Sequence, residues 1–156
     1  MAKPLRYAVS FTVYRNNNKE FLVVKRPKDS NDELNSGIWG LPATNFDTKK
    51  EAPDEAVVRG GIEKLGCKIE PVRRLPISMV QEREDYDLLM IDYECRLVSG
   101  EPDVNTAHTS GTKYVEQMWV KDPKILYDAA KKGSACVQLF LFDKGLLKRE
   151  NFITKL

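Results

Sequence analysis

Trp39-Gly-Leu-Pro-Ala-Thr-Asn45-Phe-Asp-Thr-Lys-Lys-Glu51-Ala-Pro-Asp-Glu55-Ala-Val-Val-Arg59-Gly-Gly-Ile-Glu63-Lys-Leu-Gly66-Cys-Lys-Ile69 is the stretch whose reading decides the fold. Pro53 suits the first turn of a helix, where its missing N–H costs nothing, and Asp54 and Glu55 suit the positive N-terminal end. The pattern predicts a helix from Pro53 to about Leu65, with Gly66 as a left-handed terminator. Val58, Ile62 and Leu65 fall at helical spacing and form the expected apolar stripe. Glu55, Arg59 and Glu63 form a polar stripe, and Glu51 stands one turn ahead. Gly60 and Gly61 break the helical rule, at a cost of roughly 1 kcal/mol each relative to alanine. Such breaks gather where a ligand or a neighbouring backbone comes close; drift would produce them equally well.

Working outward, the chain before this helix reads as a hairpin. Arg6 to Tyr14 alternates and is rich in Val, Phe, Thr and Tyr, as strands are. The Asn-rich run from Arg15 to Lys19 is a turn, because Asn tolerates positive φ. Glu20 to Lys25 returns as a strand that ends before Pro27. Lys28 to Gly37 is a polar loop. Ile38 to Pro42 is a short apolar stop before a further irregular stretch. After the helix, Lys68 to Met79 reads as one or two strands, Tyr86 to Leu97 as a long one and Tyr114 to Val120 as another. The loop from Ser99 to Lys113 carries the single histidine, His108. Asp122 to Lys132 and Ser134 to Leu147 read as helices. Strands, helix, strands, helices in that order predict one domain spanning residues 1–156, a mixed α/β or α+β sandwich.

Bulk properties narrow the function. The chain has 156 residues, enough for one domain with a real core. Its 25 basic and 23 acidic residues leave a formal net charge of +2, which argues against a nucleic-acid binder driven by bulk charge. Cys67, Cys95 and Cys136 are odd in number and show no C-x-x-C spacing, so three reduced, buried thiols are expected. Neither an apolar signal core near Met1 nor an apolar run of roughly 20 residues is seen. The expectation is a cytoplasmic protein with no membrane or nucleic-acid partner.

The quoted stretch resembles the box of the Nudix hydrolases: glycine, five residues, glutamate, seven residues, then Arg-Glu-apolar-any-Glu-Glu-any-Gly-apolar. Glu51 takes the first glutamate, Arg59 the arginine, Glu63 the first of the paired glutamates and Gly66 the closing glycine; Cys67 is acceptable as the final apolar residue. The departures are equally specific. Asn45 stands for the first glycine, Gly60 for the glutamate after the arginine, Gly61 for an apolar residue and Lys64 for the second paired glutamate. A Trp-any-Leu-Pro lead-in, Trp39 to Pro42, precedes the box as it commonly does in this family.

The resemblance implies a Nudix-type α/β/α sandwich with a mixed sheet. It also implies a hydrolase that cleaves the diphosphate linkage of a nucleoside diphosphate derivative with Mg²⁺ or Mn²⁺. The metal bridges phosphate oxygens, offsets developing charge and lowers the pKa of bound water. Glu63, Glu51 and Arg59 are then the expected catalytic set, with Glu63, Glu51 and Glu55 as candidate metal ligands. The family's three helical glutamates share one face; here those positions are Gly60, Glu63 and Lys64, so the cation would be weakly held. That loss supports an alternative: a nucleotide-binding or regulatory module on the same fold, with catalysis impaired.

Several side chains carry two readings. Lys64 is either a solvated lysine near a helix C-terminus or an ammonium that contacts phosphate. Glu55, like Asp54, is either a spare ligand or a partner of the helix dipole. Arg26, with Lys25 and Lys28, is either a phosphate contact or a solvated strand end. Trp39 either stacks on a nucleobase or packs beneath the box. His108 is a candidate base or ligand from its loop, and Glu116 a further acid. The run Glu82 to Asp87 is either a source of another carboxylate or a charged hairpin turn. A homodimer is the guess drawn from how often such domains pair.

Overall fold

The structure is a computed structural model, and it describes residues 3–28, 37–108 and 111–156. Eight strands form one mixed sheet: β1 (Leu5–Arg15), β2 (Glu20–Lys25), β3 (Trp39–Gly40), β4 (Ala43–Phe46), β5 (Lys68–Arg74), β6 (Met79–Glu82), β7 (Asp87–Ser99) and β8 (Glu116–Val120). The central pair, β1 and β7, is parallel and in register from Leu5↔Asp87 to Tyr14↔Arg96. The other pairings are antiparallel. Asn16, Asn17 and Asn18 all take positive φ, so the β1–β2 turn forms as their chemistry dictates.

Both faces of the sheet are covered, which is why β1 is buried from Ala8 to Tyr14 without alternation. Val9, Phe11 and Val13 face a core shared with the box helix, through Ala56, Val57 and Leu65. Ala8 and Tyr14 face a second core with α2 (Tyr127–Lys131) and α3 (Ala135–Asp143), through Ala129, Val137 and Phe140. The expected α/β/α sandwich is therefore present. Among the described residues, no helix is long and apolar enough to cross a membrane.

The sheet is split in a way that makes room for a site. β1 pairs with β2 only at its hairpin end, Tyr14↔Phe21 and Arg15↔Glu20. Its other half, Tyr7 to Ser10, pairs instead with β4. The strand β2, carrying β3 on one edge and β8 on the other, thus diverges from β1.

The box helix differs from its sequence reading in an informative way. α1 (Pro53–Gly60) passes directly into a π-helical turn, Gly61–Leu65, and Gly66 closes it at φ +65°. The buried residues are Ala56, Val57, Gly60, Gly61, Lys64 and Leu65, whereas Ile62 is 56% exposed. The expected stripe of Val58, Ile62 and Leu65 is corrected to this one, because the helix lies on the sheet through its glycines. A Cβ on Gly60 would sit 2.6 Å from Phe11 Cε1, and one on Gly61 would sit 2.6 Å from Ile69 Cγ1. Glycine is silent in a hydrophobic pattern, and a π turn holds more residues per turn than the α spacing assumes.

Smaller corrections follow the same logic. Ala43 to Phe46, read as irregular, is strand β4, held by its register with β1 rather than by apolar content. The last strand begins at Glu116 rather than Tyr114. The helix expected from Asp122 starts as a 3₁₀ turn, Pro123–Leu126, before α2. Most of the Lys28–Gly37 loop, residues 29–36, lies outside the described residues.

Candidate functional site

Arg59 organises the C-terminal half of the box helix. Its Nε donates to Glu51 Oε1 at 2.9 Å and to Oε2 at 3.1 Å, and its Nη2 donates to Glu51 Oε1 at 2.6 Å. Nη1 reaches Glu63 Oε2 at 2.9 Å, one helical turn on, and Nη2 also reaches the carbonyl of Asn45 at 2.9 Å. One guanidinium fork thus ties the loop before the helix, the helix itself and β4 together. Its hydrogen bonds to Glu51 chiefly hold Arg59 above its ordinary pKa. The two acids at the helix start are also engaged. Glu55 accepts from the backbone N–H of Ala52 at 2.9 Å, and Asp54 accepts from the Tyr93 hydroxyl at 2.7 Å.

Lys64 departs from the reading of a solvated lysine. It is 6% exposed, because the π turn and the two glycines carry it inward. Its Nζ donates to the carbonyl of Thr112 at 2.7 Å and lies 5.9 Å from the centroid of the Tyr114 ring. Tyr114 is fixed in turn: its hydroxyl accepts from the N–H of Ala43 at 2.9 Å and donates to the Ala43 carbonyl at 3.3 Å. Burial, then the neighbouring Arg26, push the Lys64 pKa down, and Glu63 opposes them.

These groups border a cavity of about 510 Å³ in the split between β1 and β2, within the size range of small-molecule sites. One end is charged, with Arg26, Arg59, Glu63 and Lys64. The rest of the lining mixes the apolar Ala8, Ile38, Leu41, Leu88 and Met90 with the polar Arg83 and Tyr86 at the β6–β7 turn. Thr112 and Tyr114 close one side, and Ser134 to Cys136, where α3 begins, close another.

The expected residues therefore separate into groups. Arg59, Glu63, Lys64, Arg26 and Asn45 border the cavity. Glu51 and Glu55 do not; the first is engaged by Arg59 and the second by the helix N-terminus. Gly60 is packed on Phe11 and Thr44, and Gly66 ends the helix. Trp39 lies beside the cavity but packs against the core under α2 and α3, with Lys25 Nζ 5.6 Å from its ring centroid. His108 is exposed and away from the cavity. Glu116 pairs with Lys25 at 3.4 Å. The run Glu82 to Asp87 is a hairpin turn between β6 and β7, as expected, and it supplies Arg83 and Tyr86 rather than a carboxylate. Sequence reasoning missed those two and Tyr114. Arg83 was hidden in a run read for its acids, and Tyr114 was read only as the start of a strand.

The donor set does not fit a protein-held divalent cation. Mg²⁺ needs several hard oxygen ligands. Among the described residues Glu63 is the one carboxylate that borders the cavity, and one of its oxygens is taken by Arg59. Among the described residues, no group of three or more His, Cys, Asp or Glu side chains stands close enough to hold a metal.

No family model matches the chain, and neither does any curated protein sequence. Solved structures do. A NUDIX hydrolase from Nitrosomonas europaea aligns with a TM-score of 0.68 at 18% identity, over 92% of this chain and 89% of that one. The MutT protein from Methanosarcina mazei aligns with a TM-score of 0.60 at 23% identity, over 81% of this chain and 84% of that one. The chain has the Nudix fold. An ADP-ribose pyrophosphatase from Streptococcus suis shares it with a TM-score of 0.54 at 16% identity, over 96% of this chain and 97% of that one. Within this fold Glu51, Arg59, Glu63 and Gly66 stand at the spacing of the box that the sequence resembles, with Gly60 and Lys64 where that resemblance implies acids.

Proposed function

We propose that this Nudix-fold protein binds the diphosphate of a nucleoside diphosphate derivative in the cavity of the split sheet, and holds it rather than turning it over. The observation that carries this reading is the buried ammonium of Lys64 beside Glu63, where the family resemblance implies an acid. A diphosphate is drawn to concentrated positive charge in a partly desolvated site. Lys64 supplies that charge at one end, beside Arg26 and the carboxylate-paired Arg59, and Tyr86 with the neighbouring Leu88 and Met90 suits the nucleoside. Arg59 and Glu51 shape the site, and Asn45 and Gly66 fix the ends of the box.

A second reading keeps catalysis. Glu63 borders the cavity and is steadied by Arg59, so a metal brought in by the substrate's own phosphates could lean on one carboxylate. Cleavage would then depend on Mg²⁺ or Mn²⁺ and on Glu63.

Thermal denaturation with ADP, ADP-ribose and inorganic pyrophosphate tests the binding. A rise in melting temperature that saturates with ligand is expected, since a ligand of the native state stabilises it by mass action. No rise with any of the three would refute the assignment of the cavity.

A further inference from the structure

The chemistry of Lys64 goes further than a positive charge near a phosphate. An ammonium has three N–H donors. Among the described residues Lys64 meets one acceptor, the Thr112 carbonyl, and one ring face, Tyr114, and pairs with no carboxylate. A buried cation with no carboxylate in direct contact is costly, and an anion arriving in the cavity would relieve that cost. The surroundings make Lys64 hard to dispense with: Gly60 and Gly61 and the π turn bring this stretch of backbone close to the sheet. Meanwhile Arg59 occupies Glu51 and one oxygen of Glu63, which leaves a metal only the other Glu63 oxygen among these two acids.

We propose that Lys64 replaces the divalent cation of the Nudix site: its ammonium, rather than a metal ion, meets the diphosphate oxygens, and binding is independent of metal. This rests on the diphosphate reading of the cavity.

The test is isothermal titration of the full chain with inorganic pyrophosphate, ADP and ADP-ribose, each in EDTA and in excess Mg²⁺. Wild-type protein is expected to bind as tightly in EDTA as in Mg²⁺. Lys64→Met keeps the apolar stem and loses the charge. It is expected to weaken binding in EDTA by about tenfold or more, the size of one hydrogen bond to a charged group. Its melting temperature without ligand reports whether it folds. If it does not, the wild-type comparison of EDTA with Mg²⁺ still decides the matter. Binding that appears only with Mg²⁺, or a folded Lys64→Met that binds as tightly as wild type in EDTA, would overturn the role of Lys64 while leaving the cavity assigned. Absence of binding by all three probes under both conditions would instead overturn the diphosphate reading itself.

Discussion

Arg59 carries more of the site's geometry than any other side chain. Five donor–acceptor contacts leave its guanidinium, toward Glu51, Glu63 and the Asn45 carbonyl. A lysine at this position would keep the charge and lose the fork, so it could serve only one of these partners well. Arg59→Lys is expected to lower stability by about 1–2 kcal/mol in urea unfolding, the size of one or two partly exposed charged hydrogen bonds. It should also weaken pyrophosphate binding, because Glu63 would be freed to put uncompensated negative charge beside the ligand. Unchanged stability and affinity would show that the fork is incidental. The contrast with Glu55 is instructive. Both carboxylates were candidate ligands in sequence, Glu63 the main one and Glu55 a spare, and Glu55 bonds the Ala52 N–H while Glu63 borders the cavity. Sequence gives spacing; which acid is already engaged depends on neighbours far along the chain.

At the scale of the element, the box helix is set by close approach. Replacing an interior helical glycine with alanine ordinarily gains stability, by roughly 1 kcal/mol. Here the added methyl group at Gly60 would meet the buried Phe11 ring at 2.6 Å and Thr44 Cγ2 at 2.9 Å, and neither can swing away freely. Gly60→Ala is therefore expected to destabilise, by about 1–3 kcal/mol as overpacking does, measured as a lowered urea midpoint. A stabilised Gly60→Ala would mean that the helix does not lie this close. This explains what was and was not legible. The helix, its Pro53 start and its Gly66 stop follow from local rules, and so does the Asn16 to Asn18 turn. The buried face did not, because half of it is Gly60, Gly61 and Lys64, which apolar periodicity cannot register. The strand β4 was hidden for a related reason: four short, half-polar residues become a strand only through pairing with β1.

At the scale of the whole molecule, the parallel pair β1–β7 carries a buried charge problem beneath α3. Asp92 is 1% exposed, and neither of its carboxyl oxygens has a hydrogen-bond partner among the described residues; the Oγ of Ser10, its register neighbour, has none either. Burial holds the Asp92 carboxyl well above its ordinary value of 3.8, against the lowering effect of the nearby Ser10 hydroxyl and with Asp143 adding to the rise. A carboxyl raised in this way is stabilising in relative terms below its unfolded value and loses that contribution as pH climbs through the folded value. Asp92→Asn does not titrate. Its stability relative to wild type should therefore be near its minimum below about pH 3.8 and grow as pH rises toward neutrality. Urea unfolding at a series of pH values measures this, and a difference independent of pH would exclude a buried, proton-bound Asp92. The sandwich was legible because strand and helix patterns follow one another clearly along the chain. The split between β1 and β2 was not, since it depends on which strand each half of β1 chooses.

That split, the charged end of its cavity and the engaged acids around it are the grounds for proposing a site that holds a diphosphate without a metal cage. The most direct measurement is product release from ADP-ribose and nucleoside diphosphates by wild-type and Glu63→Gln protein, with EDTA, Mg²⁺ or Mn²⁺. The expected result is bound ligand with no metal-stimulated release above the Glu63→Gln background. Multiple turnover that requires metal and disappears with Glu63→Gln would contradict it and establish the cavity as a metal-dependent hydrolase site.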